Sequence, residues 1–441
     1  EYIFLNNFIF FTMKEKFIIS TIILMIGGFL TKILGMIIKI VMTRYMGTEG
    51  IGLYMLILPT FSLFIALAQA GFPIALSKLI AEDSRNNKKL FFSLIPLSLV
   101  INLFLMVLII LIAKPLSINL LHEKRCVLAI YAMALVIPFT TLSNMCRSYF
   151  YGKQKMFPHV LSNITEDIAR LFLIIVGLPF FLEKGLKYAV CYVVLINVVS
   201  EIVSILILFL FLPKNLKLTK NDLLPSKIYI KDSLDISIPN TASRLIGSIS
   251  YFLEPIILTS TLLYLGYTNK FIVTEYGIVS GYVLPILLLP SFFTLAISQA
   301  LLPTITKLYY RNNIKETKRK IHQAISFSMI IGIPSTICFI LFPTFFLNLI
   351  YNTHEGSKYM IALAPFCLLQ YIQAPLSFSL DAIGKSVDNM KATLYGTLIR
   401  IIFLFLLAFL NIGIWCLIIS TSINICVVTL YDIKRIKKHL K

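Results

Sequence analysis

The chain is 441 residues long, 58% hydrophobic and only 14% charged, with a formal net charge of +20. Soluble domains carry about a quarter charged residues, so this composition cannot cover a globular surface for water. The positive excess is spread through short segments between apolar runs and reads as membrane topology, not as a nucleic-acid patch.

The chain opens Glu1-Tyr2-Ile3, and Met13-Lys14-Glu15-Lys16-Phe17 reads as a natural start, which makes residues 1–12 an upstream extension. No small-residue cleavage site follows, so the first apolar segment is expected to be retained. A membrane span needs about 20 apolar residues. Runs of that kind recur near 17–42, 52–77, 90–112, 127–150, 160–182, 188–211, 237–263, 278–303, 323–349, 359–380, 391–410 and 412–431. Twelve spans are predicted, the last two joined by a tight Asn411-Ile412-Gly413 turn. Pro59, Pro96, Pro138, Pro285, Pro290, Pro334, Pro365 and Pro375 fall within them, which membrane helices tolerate where neighbours satisfy the freed carbonyls.

Orientation follows from the basic residues. With the N-terminus in the cytoplasm, 27 of the 40 lysines and arginines fall on the inner side, 8 in outer loops and 5 inside spans. The reverse assignment violates the positive-inside rule at nearly every loop. Both termini are therefore predicted to be cytoplasmic, with Lys434-Arg435-Ile436-Lys437-Lys438 lying against anionic lipid.

The second half repeats the first. Thr31-Lys32-Ile33-Leu34-Gly35 answers to Ser243-Arg244-Leu245-Ile246-Gly247, and Gln69-Ala70-Gly71-Phe72-Pro73 to Gln299-Ala300-Leu301-Leu302-Pro303. Arg85-Asn86-Asn87 answers to Arg311-Asn312-Asn313, and Gly152-Lys153 to Gly384-Lys385. The expected organisation is an N-terminal six-helix lobe (13–212), a basic cytoplasmic linker (213–236), a C-terminal six-helix lobe (237–433) and a basic tail (434–441). Parallel repeats of this kind place a substrate site between the halves.

Seven cysteines without CxxC spacing and five scattered histidines give no metal, disulfide or catalytic constellation. No HExxH, GxSxG or DxD cluster appears, so no enzyme, cofactor or metal site is predicted. What remains is charge at membrane depth, which is rare and costs at least ~2.5–3.5 kcal/mol. Lys32 lies halfway along the first span, too deep to snorkel; it is either satisfied by helix carbonyls or lines a water-filled cavity. Lys39 is seven residues on, hence on the same face, and Arg44 lies at the outer rim. Arg170 follows Glu166 by four residues, which permits an intrahelical ion pair. Arg244 and Arg400 are the other two intramembrane cations. Glu166, Glu201, Glu254 and Asp381 either bind a coupling ion (Na⁺ or H⁺) or balance neighbouring bases. Gln69 and Gln299 suit interhelical hydrogen bonds or a polar cavity wall. Gly35, Gly47, Gly50 and Gly52 read as close-packing and turn glycines. A cavity with excess positive charge suits an anion such as a lipid-linked diphosphate.

The run Thr31-Lys32-Ile33-Leu34-Gly35, Lys39 and Arg44-Tyr45-Met46-Gly47-Thr48-Glu49-Gly50-Ile51-Gly52-Leu53-Tyr54 resembles the start of the stage V sporulation protein B group. Gln69–Lys78 and Tyr151-Gly152-Lys153-Gln154-Lys155-Met156, with Glu166 and Arg170, continue the resemblance. The group belongs to the polysaccharide transporter branch of the multidrug/oligosaccharidyl-lipid/polysaccharide flippase superfamily. The resemblance implies an all-α integral membrane protein, two parallel six-helix lobes forming a V around a central cavity. It implies flipping of a polyprenyl-diphosphate-linked saccharide, a peptidoglycan or cell-wall precursor for spore cortex, across a bacterial cell membrane by alternating access. Substrate lipid, membrane lipids and a coupling ion or the membrane potential are the implied partners, with no nucleic acid. Members usually carry Arg where this chain has Lys32, and many have two further C-terminal helices. The alternatives are a cation/drug antiporter of the same superfamily, which would rely on acids, and a membrane scaffold, for which five buried cations have no use.

Overall fold

A computed structural model describes residues 2–82, 86–212 and 226–440, with side chains from residue 23 onward except 25, 239, 240, 243, 300 and 303. The described residues are helical almost throughout and contain no strand. The first half comprises α1 (Tyr2–Gln69), α2 (Phe72–Ala81), α3 (Asn87–Pro115), α4 (Val127–Gly152), α5 (Met156–Glu183) and α6 (Leu186–Leu210). The second comprises α7 (Lys227–Tyr264), α8 (Asn269–Gly277), α9 (Leu284–Leu287), α10 (Ser291–Tyr310), α11 (Ile314–Leu341), α12 (Pro343–Tyr351), α13 (Ser357–Ala382), α14 (Ser386–Ala408) and α15 (Trp415–His439).

Ten helices among the described residues are long and apolar enough to cross a membrane, by length and composition. Twelve spans were expected, and the difference has two physical sources. The first two expected spans lie on one helix, α1, interrupted only by the kink at Gly47 (φ 66°, ψ −175°). The expected span 160–182 lies on α5, where Glu166, Asp167 and Arg170 stand too close together for an apolar window. Three expected spans are also broken internally. The span 52–77 ends at Gln69, where Ala70 and Gly71 turn left-handed (φ 44° and 69°) and Pro73 starts a new helix. At Gly71 a Cβ would lie 2.6 Å from the Ser237 carbonyl oxygen, so the break requires glycine twice over. The span 278–303 passes through a π-helical turn (Ile278–Val283) and the four-residue α9 before Pro290 starts α10. Pro343 divides 323–349 into α11 and α12. By contrast Pro138, Pro334, Pro365 and Pro375 are carried inside helices.

The motifs that repeat between halves include helix punctuation. Asn86 caps α3 by accepting from the Lys88 and Lys89 amides (3.1 and 3.2 Å), and Asn313 caps α11 through the Glu316 amide (3.2 Å). Gly384, with φ 72°, follows the end of α13. Asn411 and Gly413 (φ 56° and 59°) form the turn before α15. Arg85, a member of the repeated motif, and residues 213–225 of the expected linker lie outside the described residues; 227–236 form the first turns of α7.

The chain forms two compact units. One contains Glu1–Met46, Thr60–Asn119 and Glu123–Leu245; the other contains Gly47–Pro59, Leu120–His122 and Ile246–Lys441. The first unit is cored by Phe72, Leu76, Leu90, Phe91, Met145 and Phe150, drawn from α2, α3 and α4. The second has a cluster of Ile305, Ile321, Leu376, Leu380, Ile383 and Ile436, drawn from α10, α11, α13 and α15. In the second unit the 47–59 segment meets α8 at very short range. A Cβ on Gly52 would lie 2.1 Å from the Val273 carbonyl oxygen, and one on Gly277 would lie 2.7 Å from the Gly52 Cα. Such backbone approach is how small residues secure helices in a membrane. Gly52 is thus a packing glycine and Gly47 a kink, but Gly35 meets no heavy atom within 4 Å and is not held by packing.

Candidate functional site

In the first unit α4, α5 and α6 enclose a network of ionised side chains. Arg147, 8% exposed, pairs with Glu166 of α5 and with Glu201 of α6 (3.3 Å), and donates to Ser204 Oγ (2.6 Å) and Asn144 Oδ1 (3.2 Å). Arg170 pairs with Glu166, four residues earlier, and with Asp167 (3.3 Å). The spacing of Glu166 and Arg170 permits their pairing, and the pair is present. Arg147 is a member that the sequence does not single out: it counts among the inner-side basic residues with Lys153 and Lys155, and in the structure it lies near the end of α4, buried against two glutamates. Asp167 is a further member that no motif in the sequence singles out. Three carboxylates face two guanidinia here, so every member has an opposite charge within reach, the condition under which buried charges are retained.

Lys32 is placed differently. It is exposed on α1 and makes no ion pair with a described acid. Gly28 and Gly35 flank it on the same helix face, four residues before and three after, and their Cβ positions meet nothing within 4 Å. A helix-interior glycine is about 1 kcal/mol worse than alanine, so two glycines that are not needed for packing are a local concession. They leave the helix face on either side of Lys32 without side chains. Lys39 lies further along this stripe and is partly buried; Arg44 is exposed.

Arg244 of α7 is exposed and donates from Nη1 to Gln69 Oε1 at 3.0 Å; Gln69 itself is buried. Gly247, one turn beyond Arg244, also has no atom within 4 Å of its Cβ position, like its repeat partner Gly35. Gln299 is exposed on α10, and Asp381 accepts from Asn389 Nδ2 at 3.2 and 3.3 Å near the end of α13.

The second unit has its own buried pair. Glu254 of α7, 4% exposed, pairs with Arg400 of α14 at 2.5 Å and accepts from the Tyr276 hydroxyl of α8 at 3.3 Å. Helices α7 and α14 face each other across a pocket of about 60 Å³, lined by Gly247, Ser250, Tyr251 and Glu254 on one side and Thr397 and Arg400 on the other. Arg170 and Arg400 stand 230 residues apart, the offset of Gln69 and Gln299, so the repeat extends to these cations. Among the described residues no group of three His, Cys, Asp or Glu side chains is arranged to hold a metal ion.

Known proteins agree with this architecture. The family described as Polysaccharide biosynthesis protein matches residues 18–309, and the family described as MatE matches residues 248–410. Stage V sporulation protein B of Bacillus subtilis (strain 168) is 31% identical over 405 residues, covering 90% of this chain and 78% of that one. Lipid II flippase MurJ of the same organism is 22% identical over 480 residues, covering 97% and 84%. A solved multidrug resistance MATE family transporter of the MOP superfamily, in its inward-facing conformation, superposes with a TM-score of 0.73 at 18% identity, covering 93% of this chain and 94% of that one. With its apolar helices, this likeness makes the chain a multi-pass membrane protein with the fold of that superfamily.

Proposed function

The chain belongs to the polysaccharide biosynthesis protein family, and from that premise we propose that it is a flippase for polyprenyl-diphosphate-linked saccharides. The observation that carries this reading is Lys32: a lysine in an apolar helix, exposed, without a described acid beside it, on a face cleared by Gly28 and Gly35. A diphosphate leaving water gives up much of its hydration, and fixed cations must replace it. Lys32 is the first of these, with Lys39, Arg44 and Arg244 further candidates. The relatives' names point to the cell envelope, stage V sporulation protein B to spore formation and MurJ to lipid II, which makes a peptidoglycan precursor the preferred cargo. The positive-inside distribution supports cytoplasmic termini in a bacterial cell membrane.

The cation/drug antiporter reading draws on the buried acids Glu166 and Glu201 and on the MatE match. The two readings diverge on Lys32. In a strain whose growth depends on lipid-linked saccharide flipping, with membrane levels checked, Lys32→Ala is expected to lose transport while the protein stays inserted. Charge-assisted contacts to phosphate contribute ~1.5–3 kcal/mol each, so substrate binding should weaken roughly ten- to a hundredfold. Lys32→Arg should be tolerated, since it restores a forked donor, and Lys32→Glu should be worse than alanine. Normal transport by Lys32→Ala, with loss on removing the acids, would favour the antiporter.

A further inference from the structure

Arg147 and Arg400, each paired with a buried glutamate on another helix, differ in how fully they are used. Arg147 spends its guanidinium on two glutamates, a serine and an asparagine and is 8% exposed. The Arg400 side chain is 24% exposed and, among the described residues, pairs with Glu254 alone. Arg400 also opens on a pocket. The pocket, about 60 Å³, is several times the roughly 10–15 Å³ that one water needs, and neutral hydrogen-bonding groups, Ser250 and Thr397, line it beside the pair. Gly247 leaves one wall without a side chain. A guanidinium with spare donors beside hydroxyls and open space is a receptor for a phosphoryl group.

We propose that this pocket is an anion subsite in which a phosphoryl group of the lipid-linked substrate draws Arg400 from Glu254, and Glu254 takes up a proton in exchange. The proposal rests on the flippase reading and extends it to what is carried along with the substrate. Its logic is the state in which Arg400 has turned to the phosphoryl group. Glu254 is then a buried carboxylate left with the single hydrogen bond from Tyr276. The other ionisable side chains around it are phenols: Tyr251 from its own helix, Tyr276 from α8 and, beyond Tyr251, Tyr54 from the 47–59 segment. None of them supplies a positive charge. A buried carboxylate stripped of its counter-charge is strongly disfavoured, and protonation removes the charge. An O–H bond forms on a Glu254 carboxylate oxygen with a proton drawn from the buffered solvent, whose acid form becomes its conjugate base; Arg400 stays charged throughout, and no electron moves. When the phosphoryl group leaves, the ion pair re-forms and the proton is released.

The test uses the full chain in lipid nanodiscs with a polyprenyl diphosphate as probe. Titration calorimetry in buffers of different ionisation heat gives the protons taken up on binding, and comparison with Glu254→Gln at the same pH cancels the probe's own titration. Wild type is expected to take up close to one proton more than Glu254→Gln, and its affinity to fall by up to about tenfold for each pH unit relative to the variant. Arg400→Gln is expected to bind at least roughly tenfold more weakly. Because that change strands Glu254, the double variant Glu254→Gln/Arg400→Gln removes both charges; it should fold, bind weakly and show no extra proton uptake. Equal proton uptake by wild type and Glu254→Gln, or wild-type affinity in the double variant, overturns the proposal. If Lys32→Ala abolishes binding in that case, the flippase reading stands without this subsite; if wild type binds no polyprenyl diphosphate, both fall.

Discussion

Arg170 and Arg400 occupy the same place in the two repeats of the chain, and each is paired with a buried glutamate, Glu166 in one unit and Glu254 in the other. The partners are chosen differently. Glu166 lies on the same helix as Arg170, and Glu254 lies on a different helix from Arg400. One consequence concerns stability in the first unit, where Glu166 is shared with Arg147. Arg147→Ala would leave Glu201 without the arginine that pairs with it, inside the α4, α5 and α6 bundle. Removing one partner of a buried pair typically destabilises by ~3–5 kcal/mol. We expect a markedly lower melting temperature in detergent, partly restored by adding Glu201→Gln. An unchanged melting temperature would mean that the network is not structural.

The open face around Lys32 makes a separate prediction. Gly35→Ala should keep or slightly raise stability, because the exposed helix gains up to about 1 kcal/mol and the new methyl meets nothing. Gly28→Leu/Gly35→Leu should keep the fold and lower transport by crowding the lysine. Full transport by the doubly filled variant would mean that the two glycines do not serve the lysine.

Gly52 makes the opposite case. Gly52→Ala places a methyl 2.1 Å from the Val273 carbonyl oxygen, an atom of the backbone that cannot rotate away. Overpacking of this kind costs about 1–3 kcal/mol or more. Thermal unfolding of Gly52→Ala beside Gly35→Ala separates a packing glycine from an unobstructing one in a single experiment.

Topology is open to labelling. In a background without native cysteines, single cysteines in 307–320 should resist impermeant reagents in intact cells, and one at His354 should react. Reaction of the 307–320 loop from outside would invert the proposed orientation.

The helical architecture was legible because about 20 apolar residues in a row leave little choice in a bilayer. Breaks within those runs were less so. Proline alone does not decide them, since Pro365 and Pro375 sit inside α13 while Pro290 and Pro343 start new helices. Of the ion pairs, Glu166–Arg170 could be read because both residues share a helix at a spacing of four. Glu254–Arg400 and Arg147–Glu201 could not, because which helices meet is not written in any local spacing. Arg147 is not singled out for a related reason: its partners lie on α5 and α6, and only those facing carboxylates reveal its burial.

The kink at Gly47 hands residues 47–59 to the unit that also holds Ile246–Lys441, where they lie against Val273 and Gly277. The C-terminal half is therefore incomplete as a polypeptide. Expressed alone from residue 226, it would present a bare strip of backbone where that borrowed segment belongs, and aggregation is the expected result. Co-expression with residues 1–212 should restore it.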